Sequence, residues 1–161
     1  MEAVFSYLKS GLYGAIEKEE IYELENYCIR WKIRGSKWYK EDWNYPAGQT
    51  ECAQATKIEK LNILRKIVVT PLIELKQKIE KGTAKEIGAA IYNFLEEENI
   101  REKLNSKIKH FMQLGEIYSA EEYKKSFDSV VDILDEMVMI FGGEKISFSA
   151  YSKILRSGSE A

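Results

Sequence analysis

Histidine occurs once in this chain, at position 110, and cysteine and proline only twice each. A lone histidine excludes zinc sites built from several imidazoles. His110 also adjoins an apolar helical face and lacks the orienting partner that a Ser-His-Asp triad needs. Cys28 and Cys52 lie far apart and fit no metal-ligand spacing, so the expected setting is reduced and cytoplasmic. No phosphate-binding loop of either the G-x-x-x-x-G-K-[ST] or the G-x-G-x-x-G type occurs. The longest uninterrupted apolar run, residues 137–141, is far too short to span a bilayer, and the start lacks a basic-then-apolar signal pattern. Net charge is only −2. Any attraction to nucleic acid or anionic membrane must therefore be local. Low-complexity tracts and internal repeats are absent, and no long run of β-branched residues alternates with polar ones.

What remains is ordinary globular composition, 161 residues with 45% apolar and 31% charged side chains. That length suits a single domain that needs no metal or disulfide for stability. Helical spacing dominates. Val4, Phe5 and Leu8 form a short stripe stopped by Gly11 and Gly14. Ile21, Leu24, Cys28 and Trp31 give a helix over residues 17–31 one buried face. Its first turn is acidic and its last basic, as the helix dipole favours. Gly35 is expected to end it, and residues 33–51 read as a long irregular loop. Residues 53–81 read as a long helix through Ile58, Leu61, Leu64, Val68, Leu72, Leu75 and Ile79. Pro71 inside it implies either a kink or a break capped by Thr70. Thr83-x-x-Glu86 and Ser119-x-x-Glu122 are capping boxes, the second with Tyr118 and Tyr123 as a staple. Helices over residues 83–98 and 100–114 follow, then one stopped by Gly142 and Gly143, then a last one capped by Ser147. The expected fold is all-α, about seven helices around one core.

Residues 24–43 are the unusual stretch. They hold all three tryptophans and five cations, Arg30, Lys32, Arg34, Lys37 and Lys40, with no acid between Glu25 and Glu41. Single-stranded nucleic acid is bound by basic grooves with aromatic rings for stacking, and Trp38, Tyr39, Trp43 and Tyr45 beside those cations supply both parts. The plainer reading has the tryptophans plugging the loop onto the helices, since large aromatics bury readily. On that reading Trp31 is core, Trp38 docks the loop, and Arg34, Lys37 and Lys40 point outward as a possible contact for DNA or a partner. Other chemistry is weak. The triplets Glu74-Leu75-Lys76 and Glu122-Tyr123-Lys124 fall on helices without a strand-borne Asp, and Glu96, Glu97 and Glu98 fan out by about 100° per residue. No catalytic, cofactor-binding or metal-binding residue is assigned.

Several short motifs occur in order: Phe5, Tyr7, Leu8, Lys9, Gly11 and Leu12; then Leu24-Glu25-Asn26-Tyr27; then Ile33, Gly35 and Trp38; then residues 65–72, RKIVVTPL. Over residues 4–140 this pattern resembles an internal segment of AddB, also called RexB, the B subunit of the bacterial AddAB helicase–nuclease. The resemblance implies a helical accessory subdomain of the 2B type within a subunit several times longer. Met1 and the SGSEA tail then read as fragment boundaries. It also implies AddA and DNA as partners, neither membrane nor small-molecule substrate, and a role in processing double-strand ends for recombinational repair. The parent's ATP and magnesium chemistry and its iron–sulfur cluster would lie outside this chain, so the fragment itself should neither hydrolyse ATP nor cut DNA. The rival reading is a free-standing helical interaction protein that binds a partner through loop 33–51. A small nucleic-acid-binding protein is a third.

Overall fold

A computed structural model describes residues 2–47 and 51–159, with backbone only at 51, 52, 158 and 159. Among the described residues seven α-helices form, where about seven were expected: α1 (Glu2–Lys9), α2 (Lys18–Arg30), α3 (Glu51–Ile79), α4 (Ala84–Glu97), α5 (Ile100–Gln113), α6 (Ile117–Phe141) and α7 (Phe148–Ser159). Two strands of two residues each were not anticipated, β1 (Gly82–Thr83) and β2 (Lys145–Ile146). The chain divides into two compact units, residues 1–73 and 74–161. Their buried side chains form two clusters, one within each unit, where the sequence suggested one core. Helix α3 contributes to both clusters. Leu61, Leu64, Val68 and Leu72 join the first cluster, and Leu75 and Ile79 the second. The helix continues through Pro71, so the alternative of a break at Thr70 is set aside.

In the first unit, Phe5 and Leu8 of α1 pack with Ile21, Leu24, Tyr27 and Cys28 of α2. Helix α2 ends within one residue of the expected position, but by a different turn. Lys32, not Gly35, turns the chain, with φ of 50°. Its N–H donates to the Ile29 carbonyl (3.2 Å) and the Ile33 N–H to the Cys28 carbonyl (2.9 Å). This is a Schellman closure, in which the residue after the turn packs back on the helix. Ile33 and Cys28 are accordingly both fully buried.

In the second unit, β1 and β2 pair antiparallel, Gly82 opposite Ile146 and Thr83 opposite Lys145. The pairing delivers two carbonyls to the start of α4. Ala84 N–H donates to Glu144 (3.0 Å) and Lys85 N–H to Gly142 (3.1 Å). The Thr83 capping box forms as anticipated: the Glu86 carboxylate accepts from Thr83 N–H at 2.8 Å, and Thr83 Oγ1 accepts from Glu86 N–H at 3.3 Å. Ser147 Oγ likewise accepts from Ala150 N–H at the start of α7. The Ser119 box does not form. Gly115, with φ of 76°, reverses the chain directly after α5, and α6 begins at Ile117. Ser119 therefore lies inside the first turn, and Tyr118 is exposed instead of stapled. Gly88 of α4 is buried against α7: a Cβ there would sit 3.1 Å from the hydroxyl of the fully buried Tyr151.

Candidate functional site

Loop 33–47 is held from the flank of α3 by two polar side chains that sequence reasoning passed over. Asn62 brackets Trp43: its Oδ1 accepts from the Trp43 N–H and its Nδ2 donates to the Trp43 carbonyl, each at 2.8 Å. One turn on, Arg65 is 3% exposed. Its Nη1 donates to the carbonyls of Trp38 and Glu41, both at 2.9 Å, and its Nη2 donates to the Asp42 carboxylate. The guanidinium carbon lies 5.4 Å from the centre of the Trp43 ring. A planar fork with several donors suits this task, because it satisfies two carbonyls and a carboxylate together. Lys66 reaches Asp42 as well. Lys66, with Arg65 beside it, holds the Asp42 carboxyl below its usual range. The signal available in the sequence was the placement of Asn62 and Arg65 beside Leu61 and Leu64, on an arc that faces the core.

Above this clamp the aromatics interlock. Trp38 meets Phe5 edge-on at 5.6 Å and Trp43 edge-on at 5.5 Å, and Trp43 stacks with Tyr27 at 5.4 Å. Trp38 and Trp43 are buried, which places both rings in the packing role. Trp31, expected in the core, is half-buried at the end of α2 and packs against the first cluster from its edge. Its ring stacks on Tyr45 at 5.1 Å and 13°.

Arg34, Lys37 and Lys40 are exposed on this scaffold, as are Arg30 and Lys32. Several other cations of the unit meet acids: Lys9 pairs with Glu25, Lys57 and Lys60 with Glu23, and Lys66 with Asp42. Among the described residues no ion pair engages any of the five cations of residues 30–40. A recess of about 190 Å³ is lined by Lys37, Lys40, Trp43 and Tyr45 and by Glu41 and Asp42. Since Arg65 and Lys66 already engage Asp42, positive charge prevails there.

The other candidates stay dispersed. His110 is exposed, its ring 6.2 Å from Phe111. Glu74, Lys76, Glu122 and Lys124 lie on exposed helix faces. Among the described residues no group of three or more His, Cys, Asp or Glu side chains is placed to hold a metal ion. No helix among them is long and apolar enough to cross a membrane. Cys28 is a fully buried thiol whose pKa burial pushes up to about 12, which suits packing and not nucleophilic chemistry.

Fold and site together define an all-α module that presents a supported row of cations on a tryptophan-packed loop. No family model matches the chain. Over nearly its whole length, however, the chain is homologous to a segment of the B subunit of ATP-dependent helicase/deoxyribonuclease. It is 39% identical to that protein of Clostridioides difficile across 98% of the chain, and 36% identical to that of Clostridium tetani across 99%. It is 37% identical to that of Caldanaerobacter subterraneus subsp. tengcongensis across 98%. The chain spans 14% of the length of each of these relatives.

Proposed function

We propose that this chain serves as a helical accessory module, of the 2B type, within the B subunit of an ATP-dependent helicase/deoxyribonuclease. That protein would act with its partner AddA on double-strand DNA ends, in the cytoplasm, for recombinational repair. Homology across 98% of the chain to only 14% of a much longer enzyme subunit supports this reading above any other observation. Within the larger protein the module binds and does not react. ATP, magnesium and iron–sulfur chemistry belong to residues outside this chain, and no small-molecule substrate is assigned to it. Its contact is electrostatic: Arg34, Lys37 and Lys40, exposed and without acid partners among the described residues, meet the DNA backbone.

The test replaces all three by Gln in the assembled two-subunit complex and follows affinity for a duplex end against salt. Each neutralised phosphate contributes about 0.9 to the slope of log K against log salt. The triple variant is expected to lose roughly two to three units of slope with an unchanged melting temperature. Unchanged affinity and slope would reduce the loop to packing or to docking of a protein. The isolated chain is expected to show neither ATPase nor nuclease activity. Metal-dependent cleavage abolished by Glu74→Ala would overturn that.

A further inference from the structure

A chain of ring and cation contacts extends the basic surface beyond the loop. The Arg30 guanidinium lies 5.4 Å from the centre of the Trp31 ring, Trp31 stacks on Tyr45 at 5.1 Å, and Lys37 Nζ stands 5.9 Å from the Tyr45 ring. The Trp31 ring is tied to backbone, Nε1 donating to the Pro46 carbonyl at 3.2 Å, and the main chain of Tyr45 is held by the Tyr27 hydroxyl, which donates to its carbonyl at 2.9 Å. A cation held against a fixed ring is already ordered before a ligand arrives, so less side-chain freedom is lost on contact.

We infer that Arg30, Trp31, Tyr45 and Lys37 form a preordered platform for the phosphate backbone of DNA. Arg30 would be a further contact residue, and the Trp31–Tyr45 pair would position the two cations. The inference rests on the DNA-contact reading above. It assigns these four residues to phosphate and not to a base, and makes no use of Tyr39, which is exposed on the same loop. Tyr45 already contacts Trp31 and Lys37, Trp31 already contacts Tyr45 and Arg30, and Trp38 and Trp43 are buried, so the stack offers no ring to a nucleobase. The alternative role for Arg30, last residue of α2, is to balance the helix dipole. That role would move the melting temperature but not the salt slope.

Three variants of the full-length protein in its complex decide between these roles, with a blunt duplex of fixed sequence as the probe. Arg30→Gln is expected to lower the slope of log K against log salt by about one unit, with the melting temperature unchanged. Trp31→Leu removes no charge, yet is expected to lower the slope as well, and Trp31→Phe to restore it. If Arg30→Gln leaves the slope unchanged while replacing Arg34, Lys37 and Lys40 lowers it, the platform is overturned and the loop contact stands. If neither change alters the slope, both readings fall. Should Trp31→Leu fail to assemble, the Arg30→Gln slope alone decides.

Discussion

The Tyr13 hydroxyl donates a 3.1 Å hydrogen bond to the carbonyl of Ile67. Pro71 stands four residues further along α3 and has no N–H to give that carbonyl. A tyrosine more than fifty residues away in sequence thus serves the group that the proline leaves unserved, and α3 continues without a break. Tyr13→Phe should cost about 1–3 kcal/mol in denaturant unfolding, the penalty for a carbonyl left without a donor. Pro71→Ala in that background should recover most of the loss, because the new N–H can close the helical bond. Strictly additive effects of the two changes would show that the hydroxyl has another role.

Arg65 should be the residue whose loss frees the loop. Arg65→Ala leaves the Trp38 and Glu41 carbonyls without their donor, so a loss of about 1–3 kcal/mol for each that stays buried is expected. Arg65→Lys should not restore stability, since an ammonium cannot reproduce the planar fork. Hydrogen exchange across residues 38–43 should rise in both variants. Protection equal to the parent chain in Arg65→Lys would contradict the clamp.

The same closure ends α2 at Lys32 and α5 at Gly115, both with positive φ. Only glycine adopts that conformation freely. Lys32→Gly should therefore stabilise the chain by about 1 kcal/mol, read as a higher denaturation midpoint. A fall in the midpoint would mean that the Lys32 side chain contributes more than its backbone costs.

Glu86 accepts from the Thr83 N–H and the Thr83 hydroxyl, and these bonds, in that order, hold its pKa below the ordinary 4.5. A carboxylate depressed on folding adds stability that is present above its unfolded pKa and lost as pH falls through the lowered folded value. Unfolding free energy should therefore drop on acidification below about pH 4.5. Glu86→Gln should flatten that acid limb. Identical acid limbs in the two proteins would remove the capping box from the account of α4.

Much of the fold was legible because burial follows helical spacing. The stripes through Leu24 and Cys28, Leu61 and Val68, and Ile87 gave their helices directly, and Thr83 and Ser147 marked true starts. Ser119 misled because Ser-x-x-Glu also occurs inside helices. What decides is whether the preceding residues can turn, and Gly115 had already turned the chain. Trp31 ends its stripe at the rim of the core, half-buried. The outward cations followed from the expectation that the tryptophans would dock the loop and leave the charges in water, and Arg34, Lys37 and Lys40 are all exposed. Their support was not legible, because Asn62 and Arg65 act through backbone carbonyls and amides nineteen to twenty-seven residues away. The linear pattern marks that both face the core, but not which distant backbone groups they reach.

Amine labelling of Lys37 and Lys40 in the assembled complex, with and without a duplex end, tests the DNA contact most directly. Both lysines are exposed here, and neither has an ion pair among the described residues. DNA should protect both from acylation at low salt, and the protection should fade as salt rises, as an electrostatic phosphate contact requires. Labelling that is the same with and without DNA at low salt would contradict the contact and leave the loop a packing element.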